Sequence, residues 1–257
     1  MRNKKGQVTI FIIVAIIIIV LGILIYFFYP KISSTLGFGT VTPSSYLQDC
    51  LKDKITTTAK ELSLQGGSLN PEHYYLYEDN KIEYLCYSEL PYLQCVMQQP
   101  MLKDHIENEI KTAIENDANN CLNNMEKSFN ARGYNVILKK GSFGVELLPK
   151  KILVFFNSSL TLTKQGTQDY KSLSFGLDNN LYELVGIANS ILNFEARYGE
   201  AETTIYMTYY PQLKVEKKEQ TDGTTIYIIT ERDSKEIFQF ASRSVAWPPG
   251  YGTAAFV

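Results

Sequence analysis

Two histidines, His73 and His105, are all that the chain contains, so general acid–base chemistry near neutral pH would have to rest on carboxylates alone. A glycine-rich phosphate loop, a G-x-S-x-G elbow, an H-E-x-x-H helix and an Asp-rich calcium loop are all missing. The four cysteines include no C-x-x-C pair and the two histidines lie far apart in sequence, which does not match a zinc site, and no histidine partner for a nucleophilic cysteine is recognisable nearby. An excess of basic residues is lacking too. The chain has 25 Lys and Arg against 27 Asp and Glu, and Arg2, Lys4 and Lys5 stand apart at the start, so the remainder is more acidic than the net −2 of the whole. Phosphate backbones need a basic surface, and nucleic acid is excluded as a partner. Carboxylates at helical spacing, such as Asp104, Glu107, Glu109 and Glu115, read as a solvated helix face, and Asp178-Asn179-Asn180 as a helix cap. The expectation is a protein that is not an enzyme and has no cofactor or metal.

Charge is also absent from one long stretch. No charged side chain stands between Lys5 and Lys31, and Val8 to Phe28 is almost wholly Ile, Val, Leu and Phe. At about 1.5 Å per residue such a helix spans roughly 30 Å, the thickness of a bilayer core. The aromatic cluster Tyr26-Phe27-Phe28-Tyr29 suits a membrane–water boundary and Pro30 a helix stop. Secretory signals carry a shorter apolar core of about 7–15 residues, so residues 7–30 are expected to be a lasting transmembrane helix. The basic leader 1–6 holds the N-terminus in the cytoplasm by the positive-inside rule, which puts the C-terminal domain outside the cell.

Lys4-Lys5-Gly6-Gln7-Val8-Thr9, followed directly by the apolar run, resembles the class III signal peptide of archaeal type IV pilin-like proteins. The resemblance covers only the leader and the apolar helix. It implies cutting between Gly6 and Gln7 by a prepilin peptidase, with the helix kept on the mature protein. Filament-forming members typically carry Glu at the fifth mature position, where Phe11 stands here. An unpaired amine among apolar helices is costly, so a minor or filament-associated component is expected rather than a major subunit. The bilayer and other pilin-like surface subunits would be its partners. An uncut anchor carrying an extracellular binding or adhesion domain is the alternative.

Cys50, Cys86, Cys95 and Cys121 all lie beyond the apolar run, and an even number in an exported domain reads as two disulfides. Three pairings are open. Cys50 with Cys121, on two predicted helices, and Cys86 with Cys95, flanking Ser88-Glu89-Leu90-Pro91, are favoured. Asn157-Ser158-Ser159 is an N-glycosylation acceptor pattern.

The fold class expected is α+β: the transmembrane helix, a linker over 31–42, a part with amphipathic helices and short strands over 43–133, and an antiparallel sheet with one helix over 134–257. A helix begins near Pro43, with Ser45 and Gln48 spaced as a capping box, and buries Leu47, Cys50, Leu51, Ile55, Ala59 and Leu62. A second runs from Pro100 to about Arg132 over Leu102, Ile106, Ile110, Ala113, Ile114, Cys121, Leu122, Met125 and Phe129. Four strands between Val136 and Leu162 form an antiparallel run turning at Gly141-Ser142 and Pro149-Lys150. A third helix spans Asn180 to Tyr198, and strands follow at 212–217, 224–230 and 237–241. The only tryptophan, Trp247, stands before Pro248-Pro249-Gly250-Tyr251. That tail either folds back to cap the sheet with Trp247 or offers Trp247 and Tyr251 for contact with a sugar or partner chain.

Overall fold

The computed structural model describes Ile18, Val20, residues 41–90 and residues 93–244. The chain divides into two compact units, Met1–Thr42 and Pro43–Val257. In the first, Ile18 and Val20 are helical and exposed, and the rest of the expected anchor 7–30 lies outside the described residues. Among the described residues no helix is long and apolar enough to cross a membrane.

The second unit is mixed α+β, with four helices and twelve strands among its described residues. Helix α1 (Pro43–Leu64) starts with proline at its first position, where no N–H partner is needed, and buries Leu47, Leu51, Ile55, Thr58, Ala59 and Leu62. Two details differ from the sequence pattern. Because Pro43 already opens the helix, Ser45 lies inside its first turn rather than ahead of it. Cys50 is on the exposed side of the stripe, not within it. Gly66 and Gly67 end the helix with φ of 82° and 106°, and the Gly67 N–H donates to Leu62 O at 2.8 Å.

Helix α2 (Leu102–Ala131) buries Leu102, Ile106, Ile110, Ile114, Ala118, Cys121, Leu122, Met125 and Phe129. Ala118 thus takes the place expected for Ala113, which is half-buried. The helix closes in a Schellman arrangement: Tyr134 N–H reaches Phe129 O at 3.1 Å, Gly133 N–H reaches Asn130 O at 2.9 Å, and the Tyr134 and Phe129 rings meet edge to face. Helices α1 and α2 pack together, joined by the Cys50–Cys121 disulfide.

Strands β1 (Tyr74–Tyr77) and β2 (Asn80–Tyr87) form a hairpin whose two turn residues, Glu78 and Asp79, both have positive φ. Short β3 (Val96–Met97) pairs with β2, and Cys86–Cys95 closes the loop between them. The strands expected between Val136 and Leu162 appear as β4 (Asn135–Lys139), β5 (Phe143–Leu148), β6 (Lys151–Phe156) and β7 (Ser159–Thr163), joined by β8 (Thr167–Tyr170) and β9 (Leu173–Asp178). They do not form the simple run expected. β4 pairs with β7 and β5 with β6, so residues 135–148 and 151–163 are the two arms of one long hairpin. Its tip is Pro149-Lys150, with Lys150 at φ 60°. Gly141-Ser142 is a bend within one arm, not a turn between neighbours. The register changes there by one residue, from Lys139↔Ser159 to Phe143↔Phe156, which is a β-bulge. A side chain at Gly141 would begin only 2.1 Å from Asn157 O, so the two arms cross at a point that admits glycine alone. β8 and β9 extend the two halves of this ribbon as a third bent strand.

Helix α3 (Leu181–Tyr198) is capped by Asn179, whose Oδ1 accepts from Leu181 N–H at 2.9 Å, and by Glu236, which accepts from Asn180 N–H at 2.9 Å. Its other end is Gly199, with φ 85°. Short α4 (Thr204–Tyr209) follows, then β10 (Leu213–Glu219), β11 (Thr225–Glu231) and β12 (Ile237–Arg243). These strands join the N-terminal hairpin in a sheet of order β1-β2-β12-β11-β10. The β12–β2 pair is parallel, so the sheet is not wholly antiparallel as expected. It also draws on both sides of position 133: β2 lies in the same sheet as β10, β11 and β12, and described residues from both parts pack in one core.

Candidate functional site

Of the residues singled out in the sequence, Gly6, Gln7, Trp247 and Tyr251 lie outside the described residues. The cysteines are paired as Cys50–Cys121 and Cys86–Cys95, with Cα separations of 6.1 and 5.3 Å. Asn157 sits at the ribbon's bend with an exposed side chain, its Nδ2 donating to Ser142 Oγ at 3.1 Å, beside fully buried Ser158.

Three arrangements arise that sequence reasoning missed. The largest is a groove of about 1180 Å³ between α3 and α4, continuing to the start of β10. Tyr182, Phe194, Ile205, Tyr209 and Tyr210 line it and are all exposed, Tyr209 at 77%. Tyr206 is buried and bonds Ser190 through its hydroxyl at 2.9 Å, which fixes α4 against α3. On the floor, Gly186 is exposed in mid-helix, and a side chain there would meet nothing within 4 Å. Two buried acceptors of the same helix, Glu183 Oε2 and Asn189 Oδ1, have no hydrogen-bond partner.

The second arrangement is polar. Ser68, Glu83, His105, Glu109 and His73 surround a pocket of about 360 Å³, so the two histidines, remote in sequence, come to one place. Ser68 Oγ donates to Glu83 Oε2 at 2.5 Å and meets His105 Nε2 at 2.8 Å, and Glu109 Oε2 accepts from Leu69 N–H at 2.9 Å. Burial, with help from the Glu109 charge, lifts the Glu83 carboxyl above the ordinary glutamate value, and the Ser68 bond pulls it partly back. The order is carboxylate, hydroxyl, imidazole. In a hydrolase triad the imidazole stands between the other two and leaves the serine oxygen free to attack. Here the Ser68 oxygen is held from both sides and the residue is 7% exposed, which makes it a clamp between α1's exit, β2 and α2. Among the described residues, no group of three or more His, Cys, Asp or Glu side chains is placed to hold a metal ion.

The chain matches no protein-family model, no curated protein and no solved structure.

The third arrangement is buried beneath α3. Glu195 is 2% exposed and accepts from the Tyr227 hydroxyl, from Ala201 N–H at 2.9 Å and from Ser242 Oγ at 2.9 Å. Burial raises its carboxyl above the ordinary glutamate value while those three donors act the other way. Burial and the neighbouring Glu195 charge push the Tyr227 phenol strongly up, so it stays protonated and donates. The network ties α3 to β11, β12 and the segment before α4. A signal for it existed: Leu184, Ala188, Ile191 and Leu192 set a helical phase that position 195 continues.

Proposed function

We propose that this is a membrane-anchored cell-surface protein of the archaeal pilin-like kind, a minor or filament-associated component. The observation that carries the reading is the junction Lys4-Lys5-Gly6-Gln7-Val8-Thr9, basic and then continuously apolar to Phe28. A peptidase site placed directly against a membrane-length helix leaves that helix on the mature chain, where it serves first as anchor and then as the means of packing with like subunits. Two disulfides in the unit that follows suit an oxidising exterior. Phe11 at the fifth mature position argues for association with a filament rather than for building its bulk. Mass spectrometry of the N-terminus of protein extracted from its own membranes tests the reading. A chain beginning at Gln7 is expected, and a chain that retains Met1 to Gly6 would remove its main support.

A second reading, an extracellular binding domain on a fixed tether, is favoured by the groove between α3 and α4, whose exposed tyrosines suit a protein or sugar surface. It predicts that the protein remains in membranes when surface filaments are sheared away.

A further inference from the structure

We propose that the groove between α3 and α4 binds a positively charged peptide segment of a partner protein, with Lys or Arg side chains of that segment seated on the groove's tyrosines. The proposal rests on the second reading above, an extracellular binding domain, and names the chemistry of its ligand.

The first support is a contrast between aromatic rings, whose faces attract cations. Outside the groove this chain supplies the cation itself. Lys81 Nζ stands 4.9 Å from the centre of the exposed Tyr74 ring, and the Arg197 guanidinium 5.5 Å from that of exposed Tyr198. Half-buried Tyr134 and Tyr87 are covered in the same way by Lys164 and Arg243. In the groove Tyr182, Phe194, Tyr209 and Tyr210 are exposed too, yet no Lys or Arg among the described residues stands over any of them.

The second support is charge. Glu183, Glu202, Glu231 and Asp233 border the groove against Lys103 and Lys150. Lys103 is already paired with Glu107 at 2.6 Å, which leaves Lys150 alone opposite four carboxyl groups. The Thr204 hydroxyl and N–H hold the Glu202 carboxyl below the ordinary glutamate value, and the Ser234 N–H does the same for Glu231, so both stay ionised near neutral pH. Anionic walls around apolar faces select a cationic partner and repel an acidic one. Residues 43–257 are net acidic, which disfavours a second copy of that unit, and a neutral sugar would leave the carboxylates without a counter-charge.

The third support is size and shape. At about 1180 Å³ the groove exceeds the roughly 300–1,000 Å³ of sites for single small molecules, and a peptide chain fits it better. Its α3 wall from Tyr182 to Phe194 is about 18 Å long at helical rise, room for about five extended residues. Gly186 lies on this wall, exposed, with no positive φ to require glycine and nothing within 4 Å of where a side chain would start. A bare stretch of helix lets another backbone approach closely.

A random peptide library displayed on phage, panned over the full chain in micelles of an uncharged detergent, tests the proposal. The expected enrichment is of peptides with Lys or Arg among apolar residues. Their binding, read by fluorescence anisotropy, should weaken about tenfold or more as salt rises from about 0.05 M to about 0.5 M. Glu202→Lys with Asp233→Lys should weaken the same peptides about tenfold or more by reversing the rim. Gly186→Leu should match that loss by filling the wall, with circular dichroism of both variants unchanged. Four results overturn the proposal: no peptide enriched over empty micelles, enrichment of neutral or acidic peptides, basic peptides that bind both variants as well as the parent, or self-association of the chain that Gly186→Leu abolishes. Groove-dependent binding of a neutral oligosaccharide instead would overturn it while keeping the second reading. That reading fails separately, when the protein leaves the membrane with sheared filaments.

Discussion

Glu195 is the residue on which the second unit's internal polarity turns. Its folded carboxyl binds a proton more tightly than the unfolded one, because burial outweighs three donors. Such a group supports the fold fully below the unfolded value, about 4.3, and that support is lost as pH rises through the folded value. Glu83 acts in the same direction. Glu195→Gln keeps one acceptor oxygen and does not titrate, so its urea midpoint should fall less than the parent's as pH is raised from about 4 to 7. Parallel profiles would show that Glu195 does not titrate differently on folding. Glu195→Ala instead orphans Tyr227, Ser242 and the Ala201 N–H and should cost about 3 kcal/mol or more in the same assay. Gly66 poses a second test. Its φ is 82° and a side chain would start 2.9 Å from Glu83 Cβ, so Gly66→Ala should cost about 2 kcal/mol from backbone strain alone. An unchanged midpoint would contradict the close approach. At this scale the apolar residues were legible, because periodicity marks them whatever their partners. Ser68, Glu83 and His105 were not, since nothing local in a sequence says that a loop serine will meet a helix histidine.

Elements were legible to the extent that their signals are local. Gly66-Gly67, Gly133 and Gly199 mark three helix ends, and each has positive φ in the structure. Pairing is not local. The strand pattern from 135 to 163 shows where chain is extended but not that β4 skips β5 to meet β7, which depends on the one-residue bulge at Gly141. Nor could the tyrosine-rich strand β2 be seen to lie parallel with β12, some 150 residues away, without the fold itself. The α1–α2 pair offers a prediction at this scale. Cys50 and Cys121 are 71 residues apart, and closing a loop of that size removes unfolded-chain entropy worth about 4 kcal/mol. Cys50→Ser with Cys121→Ser should therefore lower stability by about that amount. The Cys86–Cys95 loop is nine residues, and its loss should cost less, about 3 kcal/mol on the same footing. Equal midpoints for the two double variants and the parent, by urea denaturation, would mean that neither staple constrains the unfolded chain.

The whole molecule joins a charge-free N-terminal run to a disulfide-closed α+β unit of residues 43–257. The globular unit holds two disulfides, a groove between α3 and α4 and a buried carboxyl network around Glu195. The proposed partition puts residues 7–30 in lipid and everything from 43 onward in the water outside. Intact cells treated with a membrane-impermeant amine reagent test it most directly, because the second unit carries exposed lysines such as Lys52, Lys60 and Lys111. The account predicts that peptides containing these lysines are modified without permeabilising the cells. Modification that appears only after the membrane has been opened would contradict it.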